Sequence, residues 1–361
     1  MKKEALTLPE EALRSLPASS VIMETHPADG NGTPFYDHLK AATDGRGKIS
    51  IYPVFPGIKL SFLVFQAGQA SFHHAASPHV LEISHCCRGR VGWDLKKGMS
   101  VYLGAGDLTL HSTDCCADSV MRFPLGCYEG ITLSVDLNRL SGNCPDILQE
   151  AGLDPEALYE KFCVPGESCA LPACTETEWI FAPLYGLPER LRLPYFKLKV
   201  QELLLYLDRL DLSAAREKSI ARCSSSQTDL IREIHDRLTR HPEQRFTIEE
   251  LSREYLINTS SLKSLFKAVY GQPIAAYMKE YRIRRAMELL RQSDEPIAQI
   301  AAGLGYESAG KFTRAFQDVA HVLPSEYRTG ARPEAAAHLS VSGKTLFHLS
   351  IRRDFQSPGE N

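Results

Sequence analysis

Long apolar runs are missing from this 361-residue sequence. None approaches the roughly 18 consecutive apolar positions that a membrane-spanning helix needs. The first residues, Met-Lys-Lys-Glu-Ala-Leu, also lack the apolar segment of a secretory signal. These two absences argue against a membrane partner and against secretion. We therefore expect a cytoplasmic protein.

Paired cysteine motifs are absent as well. The sequence has 10 cysteines, but no two are spaced as Cys-x-x-Cys, the arrangement common to zinc sites and redox sites. In a large cytoplasmic chain, such cysteines are usually reduced thiols, most of them buried. We therefore predict neither a disulfide framework nor a cysteine-based metal site.

Catalytic and metal-binding patterns are weak. His73, His74, His79 and His85 lie with Glu82 in a strand-like stretch, where cupin-type metal sites use His-x-His and a glutamate. His-x-His is absent, and adjacent histidines point to opposite faces of a strand. No spacing singles out a nucleophile with its base. We predict ordinary surface or core histidines, no metal, no cofactor, no catalytic residues and no enzyme.

A strong basic excess is also lacking. The net charge is −3, and residues 226–330 carry 15 basic and 14 acidic side chains. Non-specific DNA affinity grows with the number of phosphates neutralised, so it should be modest here. Specific DNA binding would then depend on local cations in this part of the chain. The candidates are Arg253, Lys263, Lys267, Lys279, Arg282, Arg284, Arg285, Lys311, Arg314 and Arg328.

Residues 246–328 contain the same helix-turn-helix pattern twice, at 248–267 and 297–317. Apolar residues of the two copies correspond at offsets of 49 or 50 positions. The corresponding pairs are Leu251 with Ile300, Phe266 with Phe316, and Tyr277 with Tyr327. A near-constant offset indicates a duplicated structural unit. We predict an all-α domain with two similar lobes.

The residues within each copy predict where its helices start and which face is exposed. Thr247 and Glu250 form a capping box, and Asn258 is a favourable N-cap for the second helix. Leu262 and Phe266 fall on one helical face and should pack inward. The remaining face is small, polar and cationic, as a helix in a DNA major groove requires.

A helix over residues 274–291, bounded by Pro273 and Pro296, connects the two copies. At 1.5 Å per residue it is about 27 Å long. One turn of duplex DNA is roughly 34 Å. The spacing therefore predicts that one chain can place two recognition helices in successive major grooves on one side of DNA.

The C-terminal region resembles the AraC/XylS-type DNA-binding domain of bacterial transcription regulators over about 100 residues. The residues that carry the resemblance are Leu262, Phe266, Lys267, Gly271, Tyr281, Arg282, Ala286, Leu289, Leu290, Ile300, Ala301, Gly305, Tyr306, Glu307, Ser308, Phe312, Ala315, Phe316, Pro324, Tyr327 and Arg328. The resemblance implies sequence-specific promoter binding, with contact to RNA polymerase and activation as the usual outcome.

By the same resemblance, the DNA-facing positions lie at the two second helices. In the first copy they are Asn258, Ser260, Ser261, Lys263, Ser264 and Lys267; in the second they are Ala309, Gly310, Lys311, Thr313, Arg314 and Gln317. Arg314 is the best candidate for a base contact, because arginine can bond the guanine edge through two hydrogen bonds. Lys263 and Lys311 are equally suited to phosphate contacts.

Three positions depart from the family pattern. Leu256 replaces the usual turn glycine of the first copy, which predicts an altered turn. Gly310 stands where a polar residue commonly starts the helix. His321 replaces the glycine that usually precedes the Pro-x-x-Tyr-Arg ending. These departures bear on how strongly each lobe docks, while the fold prediction is unchanged.

The N-terminal part reads as a separate unit, so the chain is predicted to be an α+β multidomain protein. Residues 1–48 form an N-terminal arm that is mostly loop, and 49–143 a cupin-like β-barrel. Seven strands are predicted, at 48–55, 60–66, 80–87, 90–96, 99–103, 107–112 and 131–137. The barrel would sense a small-molecule effector or mediate association.

The chain that follows the barrel is predicted to be helical. Residues 144–212 form a helical extension whose strongest helix, at 194–210, is apolar around more than one face. That helix packs on the barrel, either alone or together with a homodimer contact. Residues 213–227 form a linker, 228–330 the DNA-binding domain and 331–361 a C-terminal tail.

Two other functions are compatible with these observations. One is a cupin-type small-molecule-binding enzyme with an accessory helical domain. The other is a nucleic-acid-binding structural protein without a sensor. The tandem copy, the connector length and the family motifs favour DNA binding over two ordinary helical hairpins in an all-α domain.

Overall fold

The computed structural model describes residues 13, 15–26, 40–73, 79–95, 98–115, 118–164, 168–212, 220 and 222–330. These residues form an N-terminal sandwich of two β-sheets with a layer of helices, followed by an all-helical domain. Parts of the predicted arm, residues 213–219 and 221 of the predicted linker, and the predicted tail at 331–361 lie outside the described residues.

Thirteen strands occur in the described chain. They are β1 (Ser20–Thr25), β2 (Lys40–Thr43), β3 (Arg46–Phe55), β4 (Ile58–Gln66), β5 (Gln69–His73), β6 (Val80–Gly89), β7 (Val91–Leu95), β8 (Met99–Leu103), β9 (Leu108–Ser112), β10 (Asp118–Arg122), β11 (Tyr128–Asp136), β12 (Cys169–Leu171) and β13 (Arg222–Ser224). The first sheet has the order β1-β3-β4-β11-β6-β9-β12, and the second β13-β8-β7-β10-β5-β2. Only β1 and β3 pair in parallel among the described strands.

The prediction of a closed cupin-like barrel is not confirmed, because the strands form two open sheets. All seven predicted strands are present, six with shifted ends and β8 with the predicted ends. Six strands were missed: the interior strands β5 and β10 and the four edge strands. β1 and β2 come from the predicted arm, β12 from the predicted helical extension and β13 from the predicted linker. Edge strands are short and pair on one side only, so their sequences carry little of the alternation that marks an interior strand.

Side-chain alternation fills the space between the sheets. Val91 and Trp93 of β7 are buried against residues of the first sheet such as Phe65. Their neighbours Gly92 and Asp94 lie on the opposite face of the strand. The inner face of the second sheet therefore belongs to the sandwich core, and its outer face is left to contact the helical domain.

Helices cover the outer face of the first sheet. They are α1 (Leu137–Gly142), α2 (Asp146–Glu150), α3 (Pro155–Phe162), α4 (Thr175–Phe181) and α5 (Glu189–Arg209). Phe196 and Leu204 of α5 are fully buried in the same core as Leu81 and Ile83 of β6. The predicted packing of this helix on the sheets is thus observed. The sandwich and its helical layer are called the β-domain below. The helix begins at Glu189, before the predicted start at residue 194.

The C-terminal domain contains seven helices within the described chain. They are α6 (Ser225–Arg240), α7 (Ile248–Glu254), α8 (Thr259–Tyr270), α9 (Ile274–Gln292), α10 (Ile297–Gly303), α11 (Ala309–Ala320) and α12 (Pro324–Arg328). Residues 222–227, predicted to belong to the linker, instead form β13 and the first turn of α6. Ser224 caps α6 through a capping box with Gln227.

Each lobe has its own core, and α9 belongs to both. Tyr277 and Met278 of α9 are buried with Phe266 in lobe one, which contains α6, α7 and α8. Ile283 and Leu290 are buried in lobe two, which contains α10, α11 and α12. The predicted connector is therefore one uninterrupted helix whose two halves are fixed in different cores.

His85 is a buried polar residue between the first sheet and the helices. It is 2% exposed, and its ring stacks on Phe181 with ring centroids 4.2 Å apart. Neither ring nitrogen has a hydrogen-bond partner in the part of the chain that the structure describes. Burial lowers the pKa of His85 from its ordinary 6.5 to about 4.

This depressed pKa predicts acid sensitivity. The unfolded chain binds a proton on His85 near pH 6.5 and the folded chain only near pH 4, so stability falls as pH drops between these values. We expect the free energy of unfolding at pH 5 to be about 2 kcal/mol below that at pH 7 from this residue. Urea unfolding of the parent and of His85→Leu measures it.

The leucine variant should lose that part of the pH dependence. His241, whose side chain is 44% exposed and lies 3.4 Å from Glu243, provides the comparison variant. His241→Leu should keep the loss of stability that His85 causes between pH 7 and pH 5. If the free energy of unfolding changed equally with pH in the parent and in His85→Leu, His85 would not be the cause of the acid sensitivity.

Candidate nucleic-acid interface

The two lobes use left-handed backbone conformations at equivalent positions. The turn before the second helix contains Leu256 (φ 51°) in lobe one and Gly305 (φ 76°) in lobe two. The second helix ends at Gly271 (φ 83°) in lobe one and at His321 (φ 59°) in lobe two. Each lobe thus fills one of its two left-handed positions with glycine and the other with a larger residue.

The expected alteration of the first turn is therefore not observed. Leu256 adopts the same left-handed region as Gly305, at a cost of roughly 1–2 kcal/mol for a residue with a Cβ. Its side chain is 94% exposed and gains no packing in return. His321 likewise replaces the usual glycine without changing the helix end. The two lobes therefore share the same backbone conformations at these positions, although the residue types differ.

Hydrogen bonds at the helix starts fix the direction of both second helices. The side chain of Asn258 accepts a bond of 2.7 Å from the backbone N–H of Ser261. Ser308 does the same for the N–H of Lys311 at 3.3 Å. Gly310 is thus not at the cap position. The predicted capping box of Thr247 and Glu250 is present, with bonds of 2.8 and 3.1 Å.

The twelve predicted DNA-facing residues all lie on α8 and α11 or at their caps. Ten of them are exposed, and Ser261 and Thr313 are partly buried. Leu262 and Phe266 of α8, like Phe312 and Phe316 of α11, are fully buried on the opposite faces. The structure therefore brings the predicted residues onto two exposed surfaces carried by one shared helix, α9.

The cations of these surfaces differ in how they are paired. Lys263, Lys267 and Arg314 make no ion pair within the described ranges of the chain. Lys311 pairs with Glu307 one turn earlier, and this contact holds the pKa of Glu307 below its usual value. The four-residue spacing of this pair is visible in the sequence, although Glu307 precedes α11, whose N-cap is Ser308.

Several other candidate cations have structural roles. Arg282 donates to the carbonyl oxygens of Pro242 (2.6 Å) and Gln244 (2.8 Å), which ties the loop before α7 to α9. Lys279 pairs with Asp318 at 2.8 Å, and Arg328 donates to the Glu295 carbonyl at 2.5 Å. Sequence alone gave these cations the same weight as Lys263, Lys267 and Arg314, which have no such partner.

The β-domain contacts lobe one directly. The Arg90 guanidinium, at the junction of β6 and β7, donates to the Val269 carbonyl at 2.8 Å and to the Ala268 carbonyl. Tyr102 of β8 accepts a bond of 2.9 Å from Arg232 of α6. These contacts hold the carbonyl end of α8 and leave its exposed face uncovered by the β-domain.

Comparisons with known proteins fit this geometry. A model of a helix-turn-helix domain matches residues 251–330. A putative AraC-like transcription regulator from Streptomyces antibioticus is 33% identical over 96 residues, covering 27% of this chain and 32% of that protein. Residues 251–330 form an AraC-type helix-turn-helix domain.

Other curated relatives match the AraC-type domain too. The HTH-type transcriptional regulator AlkR from Acinetobacter baylyi is 33% identical over 88 residues, covering 24% of this chain and 29% of that protein. The HTH-type transcriptional activator RhaR from Mannheimia succiniciproducens is 33% identical over 86 residues, covering 24% and 31%. The chain thus matches less than a third of the length of these relatives.

Solved structures also resemble parts of the chain. An AraC-type regulator from Chromobacterium violaceum is 23% identical, covers 29% of this chain and 95% of its own, and has a TM-score of 0.28. Fatty-acid-bound ToxT from Vibrio cholerae is 14% identical, covers 77% and 98%, and has a TM-score of 0.29.

The left-handed residues of the AraC-type domain predict stability changes of opposite sign. Leu256→Gly should raise the free energy of unfolding by roughly 0.5–1 kcal/mol, because strain is relieved and no packing is lost. Gly305→Ala should lower it by about 1–3 kcal/mol. A Cβ at Gly305 would lie 2.3 Å from the Glu243 carbonyl oxygen and sit at positive φ. Urea unfolding followed by circular dichroism measures both.

Gly303 supplies the control for this pair. It lies in α10, and a Cβ there would have no atom within 4 Å. Gly303→Ala should leave stability unchanged or raise it. A loss of stability as large as that of Gly305→Ala would contradict the explanation by backbone conformation.

Proposed function

We propose that the protein is a transcription regulator that binds promoter DNA with two helices at once. α8 and α11 enter successive major grooves on one side of the duplex. The proposal is supported by the two exposed cationic surfaces, on α8 and α11, whose lobes share the helix α9. Its 19 residues give a length of roughly 28 Å, close to one turn of DNA.

The two surfaces are proposed to read DNA differently. Arg314 on α11 is exposed and unpaired within the described residues, so its guanidinium can bond a guanine edge. Lys263 and Lys267 on α8 contact phosphates or bases, while Ser260, Ser264, Thr313 and Gln317 supply neutral hydrogen bonds. Lys311 contributes less, because Glu307 already compensates its charge. Asn258, Ser261, Ala309 and Gly310 let the backbone at the helix starts approach phosphate.

We further propose that the regulator acts in the cytoplasm, activates transcription through RNA polymerase and is controlled by its β-domain. A relative of the AraC-type domain, RhaR, is named a transcriptional activator. The contacts of Arg90 and Tyr102 with lobe one give the β-domain a physical connection to a DNA-reading helix. A small-molecule effector would act by favouring one arrangement of the two domains.

The helical layer of the β-domain supports a homodimer. Trp179 of α4 is 71% exposed and Leu198 of α5 is 58% exposed. The two helices are adjacent, since Lys199 donates to the Trp179 carbonyl at 3.1 Å. Large apolar side chains exposed together commonly mark protein contacts. We propose that a second copy of the chain covers them, so that two DNA-binding domains act on one promoter.

DNA binding is tested with Arg314→Ala and Lys263→Ala. Against a promoter fragment selected with the parent protein, Arg314→Ala should weaken binding by about 1–3 kcal/mol and relax base preference at one position. Lys263→Ala should weaken binding more uniformly and lower the salt slope by about 1 if it contacts phosphate. Fluorescence anisotropy at several salt concentrations measures both effects.

The control is Arg190→Ala, an exposed arginine of α5 in the β-domain. It should bind as the parent does, and circular dichroism should show all three variants folded. Full affinity and unchanged base preference in the Arg314 and Lys263 double variant would refute the assigned surfaces.

Association is tested by Leu198→Glu, which places a charge in the proposed contact. The variant should be monomeric at concentrations where the parent is a dimer, as measured by sedimentation velocity. Met23→Glu, an exposed position on β1 rather than on the helices, should leave the dimer intact. A parent protein that is itself monomeric at about 10 μM would disprove this contact.

A further inference from the structure

We infer that the cleft between the β-domain and lobe one binds a small organic anion that carries an aromatic ring, and that this cleft is the effector site. Its role as a ligand site is independent of the DNA interface. Its regulatory role rests on the proposed function.

Size distinguishes this cleft from the interior of the sandwich. The pocket between the sheets, near Glu82 and His111, holds only about 80 Å³. That is room for a few water molecules at about 30 Å³ each. The interdomain cleft measures about 800 Å³, within the range of roughly 300–1,000 Å³ typical of small-molecule sites. The larger site therefore lies where the two domains meet.

Aromatic rings line the lobe-one side of the cleft. The His235 ring stacks on Tyr270 with centroids 4.5 Å apart, and its Nε2 is 2.8 Å from the Tyr277 hydroxyl. Tyr281 continues this surface along α9. Burial is the largest cause that lowers the pKa of His235, and Arg284 adds to it. Tyr270 and Tyr277 are each only 3% exposed, so the rings that a ligand can reach are those of the half-buried His235 and Tyr281. A ligand ring can stack on these two side chains.

The charges around these rings favour an anion. Five arginines line the cleft against two carboxylates, those of Asp236 and Glu288. Three of the arginines already pair with acids: Arg122 and Arg232 with Asp94, and Arg285 with Glu288. Arg240 and Arg284 have no carboxylate partner in the described part of the chain. Guanidinium groups bind carboxylates through paired hydrogen bonds.

Both domains contribute walls, so occupancy is linked to their arrangement. The end of β10 and the turn that leads to β11, residues 122–126, close the cleft from the β-domain. Leu125 of this turn is packed in the core of lobe one. A ligand that touches this turn, α6 and α9 binds only when the domains are docked in this way. It would therefore stabilise the docked arrangement over others.

The test uses 2-naphthoate as the anionic aromatic probe and 2-naphthamide as its neutral counterpart of the same shape. Isothermal titration calorimetry on the full-length protein, without DNA, should show saturable naphthoate binding. The amide should bind at least about tenfold more weakly, because the guanidinium contacts are lost. Equal affinity for the two probes, or no naphthoate binding at about 1 mM, would overturn the proposal.

Substitutions then place the probe. Arg240→Gln with Arg284→Gln should weaken naphthoate binding at least about tenfold, with the helical signal in circular dichroism unchanged. Arg190→Gln should bind as the parent does. If the double variant kept its affinity for naphthoate, the carboxylate would bind somewhere other than this cleft, and the proposal would be wrong.

A final measurement separates this site from the DNA interface. In the absence of probe, the single variant Arg240→Gln should bind promoter DNA as the parent does. Weaker DNA binding of this variant without probe would assign Arg240 to the DNA backbone and would also overturn the proposal. Naphthoate binding with no DNA binding would leave the ligand site standing and refute only the proposed function.

Discussion

The arrangement of the molecule depends on one arginine. Arg90 leaves the end of β6 and places its guanidinium against the carbonyl groups of Ala268 and Val269, where α8 ends. The last carbonyls of a helix have no partner within it, and the negative end of the helix dipole favours a cation there. Burial lowers the pKa of Arg90, yet its pKa starts so high that the side chain stays charged. Charged hydrogen bonds of this kind are each worth about 1.5–3 kcal/mol.

Among the described residues, the second sheet lies between the sandwich interior and lobe one across β7 and β8. Trp93 faces inward, and its neighbour Asp94 pairs with Arg122 and Arg232 on the outside. The buried side of the sheet is filled by apolar side chains, while its outer side carries the ion pairs that face α6. Successive residues of a strand point to opposite faces of the sheet. The inward residues of β7 and β8 therefore form the core of the β-domain, and the outward residues contact the DNA-binding domain.

The sequence was sufficient for features that depend on neighbours in the chain. Helical periodicity located α8, α9 and α11, and the caps at Thr247 and Asn258 were correct. It did not reveal that the β-domain is an open sandwich, because closure depends on edge strands that pair with distant segments. The strand β13 is an example: three residues from a predicted linker complete the second sheet beside β8.

For the candidate DNA interface, the sequence predicted which helix faces are exposed but not which cations are paired. The exposed faces of α8 and α11 followed from the spacing of buried residues such as Phe266 and Phe316. The pairing of cations did not follow, except for Glu307 with Lys311, because partners such as Lys279 and Asp318 meet only in three dimensions. The interdomain cleft was beyond reach of the sequence, since its walls come from segments more than 100 residues apart.

The bond from Arg90 has a consequence for divergence. Its acceptors on α8 are main-chain carbonyls, which every amino acid provides. In the proposed regulator, substitutions at Ser260, Lys263 or Ser264 would therefore change operator preference without disturbing the connection to the β-domain. After a gene duplication, a copy of such a regulator could acquire new target genes while still responding to the old effector.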